Sequence, residues 1–387
     1  MDTEVSFLPM EAIGEDGSLD LHRTRPVEEV RTGYTYFEDG DVAFAKVTPC
    51  FENGKGALMK GLERQAGFGT SELTVLRPKT GTNARYLNFV VQSEQFRQLG
   101  AGAMTGAGGL KRVPDEFTRN FRATFPSEEE QERIANFLDE QTARIDALIV
   151  GKDELLDKLF EYRIAIVETV MADAPGQSRV RLGLHVDLLP GYAFPSEKFS
   201  LDPDGIPLLR GINMAPGCIR WDETVYWPHT DDATLERFRL KASDVVFGMD
   251  RPWVNAGTRV AMVDEDAEDV LLLQRVCRLR GGSKFHQRFI YYALASDRFR
   301  QSVEVDLTGV SVPHISPEQI LSFKVPAISF EEQRDRCEEA DRKVSSIDEL
   351  TMHASQVIDR LREYRSSLIS AAVTGQIDIN NFQMEVV

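Results

Sequence analysis

Two stretches of this chain place apolar or bulky residues every third or fourth position for about five heptads, and the remainder does not. From Ile134 the series runs through Leu138, Ile145, Leu148, Leu155, Leu159, Tyr162 and Ile166, interrupted at Gln141 and Lys152. The second series is Ile347, Leu350, Val357, Leu361, Tyr364 and Leu368. Spacing sustained this long predicts two long helices, each with a coiled-coil seam. Ser127 followed by Glu130, and Ser329 followed by Glu332, read as capping boxes, with acids in the first turn opposing the helix dipole. Gly375 predicts a stop. At about 1.5 Å per residue, roughly forty-five residues make a rod about 65 Å long.

Elsewhere the apolar runs are short. "DVAFAKV", "ELTVLR", "DVVFGM", "RVAMV" and "VLLLQRVCRLR" read as strands, and amphipathic helices are expected near Ala84–Leu99 and Phe285–Val303. Loops rich in Gly, Pro and Asn separate them. The fold class is α/β (α+β): two mixed α/β domains and two long helices.

The halves repeat. Shifted by 202 residues, 127–163 falls on 329–365 with 13 of 37 positions identical, including Glu161-Tyr162-Arg163 on Glu363-Tyr364-Arg365. At a shift of 203 the globular stretches match more faintly: Asp41 meets Asp244, Pro49 meets Pro252, Gly54 meets Gly257 and Ser93 meets Ser296. Matches in two kinds of segment at nearly one offset indicate a tandem duplication. The expected domains are 1–124, 125–172 (first helix), 173–325, 326–376 (second helix) and a tail, 377–387. Two equivalent seams most simply cover each other as an antiparallel coiled coil with a pseudo-twofold; the alternative is two helices packed independently, each on its own domain. The second unit opens with about 25 residues, "SRVRLGLHVDLLPGYAFPSEKFSLD", that have no counterpart ahead of "VSFLPMEAIG". The first unit is therefore expected to lack one N-terminal element.

The formal charge of −17 argues at first against nucleic acid. Its distribution changes that picture. Residues 126–171 hold 12 acids against 5 bases and 326–377 hold 10 against 7, whereas 1–125 hold 17 against 15 and 172–325 hold 21 against 18. The acidity lies largely on the helices, where it would keep a rod off phosphates or meet basic partner surfaces. The globular stretches keep enough Lys and Arg for phosphate contact. No run of eighteen apolar residues is present, and the start has no signal-peptide pattern. Four scattered cysteines, Cys50, Cys218, Cys277 and Cys337, without a C-x-x-C pair fit a reducing, cytoplasmic compartment.

Enzyme motifs fail on inspection. "GAGAMTGAGGLKR" lacks the Gly-Lys junction of a phosphate loop and has Thr105 where a dinucleotide fingerprint needs its third Gly. There is no G-x-S-x-G and no H-E-x-x-H, and six His are spread singly. What remains has the residue types of a recognition surface. "MDRPWVNAGTR" offers Arg251, Trp253, Asn255 and Arg259; the matching "KVTPCFENGKG" offers Lys46, Asn53 and Lys55. "TGAGGLKR" and "TGVSVPHI" add Lys111, Arg112 and His314, and "GIPLLRGINM" adds Arg210. For each, the plain alternative is a solvated surface charge.

Taken together, "FPSEEEQERIANFLDEQTARID" (125–146), "SSLISAAVTGQIDI" (366–379), "LTVLRP" and "TGAGGLKRVP" resemble the specificity subunits of Type I restriction–modification systems, over essentially the whole chain. The second helix opening keeps Glu332-Gln333 but has Arg336 where the first has Ile134, a departure from the pattern. The resemblance implies two target-recognition domains, each reading half of a split, asymmetric double-stranded DNA target. The helices would set the gap and dock two methyltransferase subunits, with restriction/translocase subunits joining through those. Catalysis, S-adenosylmethionine, ATP and Mg would belong to the partners, and this chain would bind no cofactor or metal. A fused nuclease or methyltransferase and a coiled-coil scaffold without DNA specificity are the competing readings.

Overall fold

The periodic stretches become helices of 43 and 44 residues, Glu128–Val170 and Phe330–Val373, in a computed structural model of the chain. The structure describes residues 3–107, 109–229, 232–254, 257–265, 267, 269–304 and 313–382. Ser127 Oγ accepts from the Glu130 backbone N–H at 3.3 Å and Ser329 Oγ from Glu332 at 3.1 Å, so both helices start where the capping signal lies. Gly375, at φ +70°, closes the second.

The chain divides into two compact units, Met1–Glu154 with Ala354–Val387, and Leu155–His353, so the division cuts both long helices. Each unit is a mixed α/β body packed against two antiparallel helix segments. In the first unit Arg365 Nε donates to Asp146 at 2.9 Å, while Ile134, Leu138 and Ile145 share a core with Leu361, Leu368 and Ala372. In the second, Arg163 Nε donates to Asp348 at 3.2 Å, while Leu159, Ile166 and Val170 share a core with Cys337, Ala340, Val344 and Ile347. The two ion pairs correspond at the 202-residue offset, with the helices exchanging roles.

The observed seam corrects the expected one. Leu148, Leu155, Tyr162 and Leu350 are exposed, at 52, 38, 58 and 55%, and Val357 and Tyr364 are half-buried. The second helix instead turns inward Gln333, Cys337, Ala340, Val344, Ile347, Thr351, Ala354, Ile358, Leu361, Arg365, Leu368 and Ala372, a strict alternation of four and three. Polar and small residues at Thr351, Ala354 and Arg365 hold places in this ladder, while Leu350, one position from Thr351, is exposed and Val357 and Tyr364 pack only partly against the core.

The globular parts follow one plan. In the first unit Val42–Ala45 is flanked by Gly56–Leu58 and Leu73–Leu76, and a second sheet runs Thr24–Pro26, Glu4–Leu8, Ala66–Gly69, Thr35–Glu38. In the second unit Val245–Gly248 lies between Val260–Met262 and Val276–Gly281, and Ile206–Leu209 between Val225–Trp227 and Leu271–Leu272. The opening segment peculiar to the second unit supplies Val186–Pro190, which pairs with the outer edge of Val276–Gly281, and Arg179–Arg181, which pairs with Lys324–Pro326. Among the described residues the equivalent edge of Leu73–Leu76 carries no strand.

Each expected amphipathic helix is two. Ala84–Gln92 and Glu94–Ala103 break at Ser93, and Gln287–Ala295 and Asp297–Glu304 break at Ser296. Both serines are buried and extended; each donates its hydroxyl to the turn behind, at 2.7 Å, and accepts from the N–H three residues ahead. A single serine thereby ends one helix and caps the next.

One buried glutamine per unit fastens the body to its helix. Gln131 Oε1 accepts from Asn83 N–H at 2.9 Å, and its amide donates to the carbonyls of Gly81 and Pro126 at 3.1 and 2.8 Å. Gln333 does the same with His286 N–H and the carbonyls of Lys284 and Ile328, at 2.9, 3.0 and 3.1 Å. Both side chains are fully satisfied. Asp41 and Asp244 form a second duplicated lock: each accepts a side-on Arg fork, from Arg77 and Arg280, and a backbone N–H three residues back. Burial pushes the Asp41 carboxyl up, but the Arg77 fork and the Glu38 N–H outweigh it and hold it below the usual carboxylate range.

Candidate nucleic-acid interface

In each unit three separate chain segments meet in one small backbone platform. In the first, Lys46 N–H donates to the Glu72 carbonyl (2.8 Å), Thr48 N–H to Lys111 (3.0 Å), and Val113 N–H to Lys46 (2.8 Å). In the second, Met249 N–H donates to Arg275 (2.9 Å), Arg251 N–H to Pro313 (2.8 Å), and Ile315 N–H to Met249 (2.9 Å). Every bond maps onto its counterpart at the 202- or 203-residue offset, and the bridges Val47–Arg112 and Asp250–His314 match as well. The apolar strand ends hold these loops in place: Phe44 and Phe247 are buried, each packed edge-on to a phenylalanine of the body, Phe96 and Phe299.

The platforms carry different side chains. On the first, Arg112 makes a bidentate pair with Glu72, Nε at 2.8 Å and Nη2 at 2.7 Å. That bond is the main reason the Glu72 carboxyl sits below its ordinary range and the Arg112 guanidinium above its own. Lys111 is exposed and Lys46 half-buried; among the described residues neither ammonium has a hydrogen-bond partner. The hairpin Thr105–Ala107/Leu110–Arg112 presents Lys111 and Arg112. Gly106, at φ +147°, is required there, because a Cβ would lie 2.3 Å from the Leu110 carbonyl oxygen.

On the second platform the acid enters from the loop itself. Asp250 bonds His314 Nδ1 at 2.5 Å and also accepts from Arg275. Burial pushes the Asp250 carboxyl up, and the bonds from Arg275 and His314 more than reverse this. Arg251 is exposed, held at φ +44°, with no side-chain partner among the described residues.

Several residues singled out from the sequence have internal work. Lys55 donates to the Met10 carbonyl at 3.2 Å, and Asn53 to Glu15 at 2.9 Å. Arg259 donates to the carbonyls of Met214, Asp250 and Arg251 at 3.0, 3.1 and 3.4 Å; burial pushes its pKa down. Lys55 and Arg259 are thus loop staples. Trp253 is half-buried, covered by the Arg300 guanidinium at 5.4 Å, and lines a cavity of about 280 Å³ with Phe160 and Tyr291. Arg210 lies outside the platform, donating to the Glu223 carbonyl, and Asn255 lies outside the described residues. The structure therefore brings together Lys46, Lys111 and Arg112 in one unit and Arg251 and His314 in the other. Glu72, Asp250 and Arg275 belong to the platforms and escaped the sequence reading. Carrying the 203-residue offset to Glu72 and Arg275 would have exposed a reversed charge at one site. Among the described residues no group of three or more His, Cys, Asp or Glu is placed to hold a metal ion.

No protein-family model matches the chain. It is similar to the specificity subunit of Type I restriction enzyme EcoAI from Escherichia coli, 30% identical over a 442-residue alignment covering 90% of this chain and 73% of that protein. The EcoEI specificity subunit, also from Escherichia coli, is 39% identical over 172 residues, 44% of this chain and 28% of that one. The MjaVIII specificity subunit of Methanocaldococcus jannaschii is 24% identical over 306 residues, 76% and 71%. Among solved structures, a chain from work on assembly and conformational transition of the type I R-M system has a TM-score of 0.76 at 17% identity, covering 97% of this chain and 93% of that one. The HsdS subunit from Thermoanaerobacter tengcongensis reaches 0.50, also at 17% identity, with coverages of 97% and 92%. These structural likenesses speak to the fold.

Proposed function

The chain belongs to the specificity subunits of Type I restriction enzymes, and we propose that each of its two platforms reads one half of a bipartite, asymmetric DNA target. The chain carries recognition rather than catalysis. The observation behind this reading is the pair of platforms built on one backbone with different side chains: a duplicated frame for holding DNA, with contents that differ where bases would be discriminated. Residues 1–124 and 173–325 act as the two readers. Lys46 and Lys111 on one, and Arg251 on the other, supply phosphate attraction; Arg112, Arg275 and His314 face the bases. The paired helices set the gap between half-sites, and their exposed faces, including Leu148, Leu155, Tyr162 and Leu350, dock two methyltransferase subunits. Restriction/translocase subunits join through those, and S-adenosylmethionine, ATP and Mg bind to the partners.

Selection of randomised duplex DNA by the full chain at fixed salt tests this. The expected result is enrichment of two unlike half-sites at a fixed gap. Enrichment of one contiguous motif would overturn the two-reader assignment. Binding indifferent to sequence and insensitive to salt would favour a protein scaffold.

A further inference from the structure

We infer that Glu72 is a positioning residue that aims Arg112 at a guanine in the half-site read by the first unit; this rests on the DNA-reading function proposed above. A guanidinium has five N–H donors in a fixed plane. Glu72 takes the Nε donor and one Nη2 donor, at 2.8 and 2.7 Å. The edge left free carries one N–H from Nη1 and one from Nη2, side by side and parallel. That edge fits two acceptors in one plane, as guanine presents with O6 and N7 in the major groove.

Three observations favour a base over a phosphate as the acceptor. The pair is formally neutral, so it exerts little long-range pull on the backbone, while Lys46 and Lys111 beside it carry the free charge. Arg112 is accessible, with its side chain 45% exposed, yet both ends of its anchor are fixed: the Glu72 carbonyl accepts from Lys46 N–H at 2.8 Å, and Arg112 sits on a hairpin bridged to Val47. An arginine so restrained loses little rotamer freedom on binding. Finally, the pair is not duplicated. Arg77–Asp41 has the same side-on form, but it recurs as Arg280–Asp244 around a buried carboxylate and so belongs to the scaffold. Glu72–Arg112 is replaced in the second unit by Arg275 and His314 around Asp250. Where the frame is constant and the charges are exchanged, discrimination between half-sites has its place.

The test is selection of randomised duplexes by the full chain, wild type against R112A, R112K and E72Q, with the salt dependence of binding for each. The expected result is loss of preference for guanine at one position of one half-site in R112A and R112K, by roughly 5- to 150-fold. E72Q should give a smaller loss at the same position, and the other half-site should be unchanged in all three. A measurement on the wild type alone accompanies this: 7-deazaguanine at that position should weaken binding by a similar factor. If R112A weakens all sequences alike and lowers the log–log salt slope by about one, Arg112 holds a phosphate and the inference fails. It fails too if 7-deazaguanine is without effect, or if E72Q is silent while R112A is not. Should the wild type select no bipartite motif, the two-reader function itself falls, and this assignment with it.

Discussion

The loop at Lys46–Thr48 and the loop at Met249–Arg251 are held by the same three backbone bonds, but the acid of each cluster enters from a different segment. In the first unit it is Glu72, and Arg112 answers it; in the second the position of Glu72 is taken by Arg275, and the acid, Asp250, stands where the first unit has Val47. After duplication, backbone geometry and buried locks persisted, while exposed charges were redistributed without moving the frame. Duplicated features are therefore expected to carry stability in both units, and unduplicated ones to carry the differences between their targets.

The sharpest challenge to that division is removal of the two glutamine clasps. Gln131→Ala and Gln333→Ala each strand one buried N–H and two carbonyls, so each should cost about 3 kcal/mol in denaturant unfolding. All three tryptophans, Trp221, Trp227 and Trp253, lie in the second unit, so indole fluorescence should follow Gln333→Ala and ignore Gln131→Ala. A large effect at one glutamine and none at the other would break the equivalence.

Asp41→Ala and Asp244→Ala come next, about 2 kcal/mol each, the exposed Arg77 and half-buried Arg280 partners lowering the figure. For Asp41 the sign with pH is fixed. A folded pKa below the unfolded one means that its contribution is complete above the unfolded value and disappears as pH falls through the carboxylate range. Circular dichroism titration of wild type against Asp41→Ala should show the two converging in acid.

Asp250→Ala should leave stability nearly unchanged and relax base preference in the second half-site only, by about 5- to 10-fold, as Arg275 and His314 lose their common anchor. Relaxation in both half-sites, scored by duplex selection, would contradict independent readers. The smallest effect is expected at the helix ion pairs: about 1 kcal/mol for Arg365→Ala, whose side chain is 15% exposed, and about 0.5 kcal/mol for Arg163→Ala, at 30%.

The duplication, the long helices and the mixed α/β character were legible because periodicity and repeated phrases survive without tertiary context. The seam register was not. Its positions include Thr351 and Arg365, which an apolar pattern passes over in favour of Leu350 and Tyr364 one step away. The helix breaks were hidden for a similar reason: Ser93 and Ser296 are ordinary residues in an amphipathic run until they turn extended and cap. Of the residues picked from the sequence, Lys46, Lys111, Arg112, Arg251 and His314 fall on the two platforms. Lys55 and Arg259 were chosen on type, and both bond backbone carbonyls within their own unit, since a sequence does not tell which guanidinium will meet three carbonyls. Glu72 and Asp250 were missed because an acid is not looked for where DNA is expected, although each bonds the exposed basic side chains of its platform.

The division of the molecule has a consequence for its biosynthesis. The second unit is a single run, Leu155–His353, whereas the first needs Ala354–Val387 to close over its own helix. On a ribosome, the domain translated first therefore waits, with Ile134, Leu138 and Ile145 uncovered, until Leu361, Leu368 and Ala372 emerge; the later-translated body has meanwhile all the residues it requires. The order in which the two bodies can close therefore runs opposite to the order of the code.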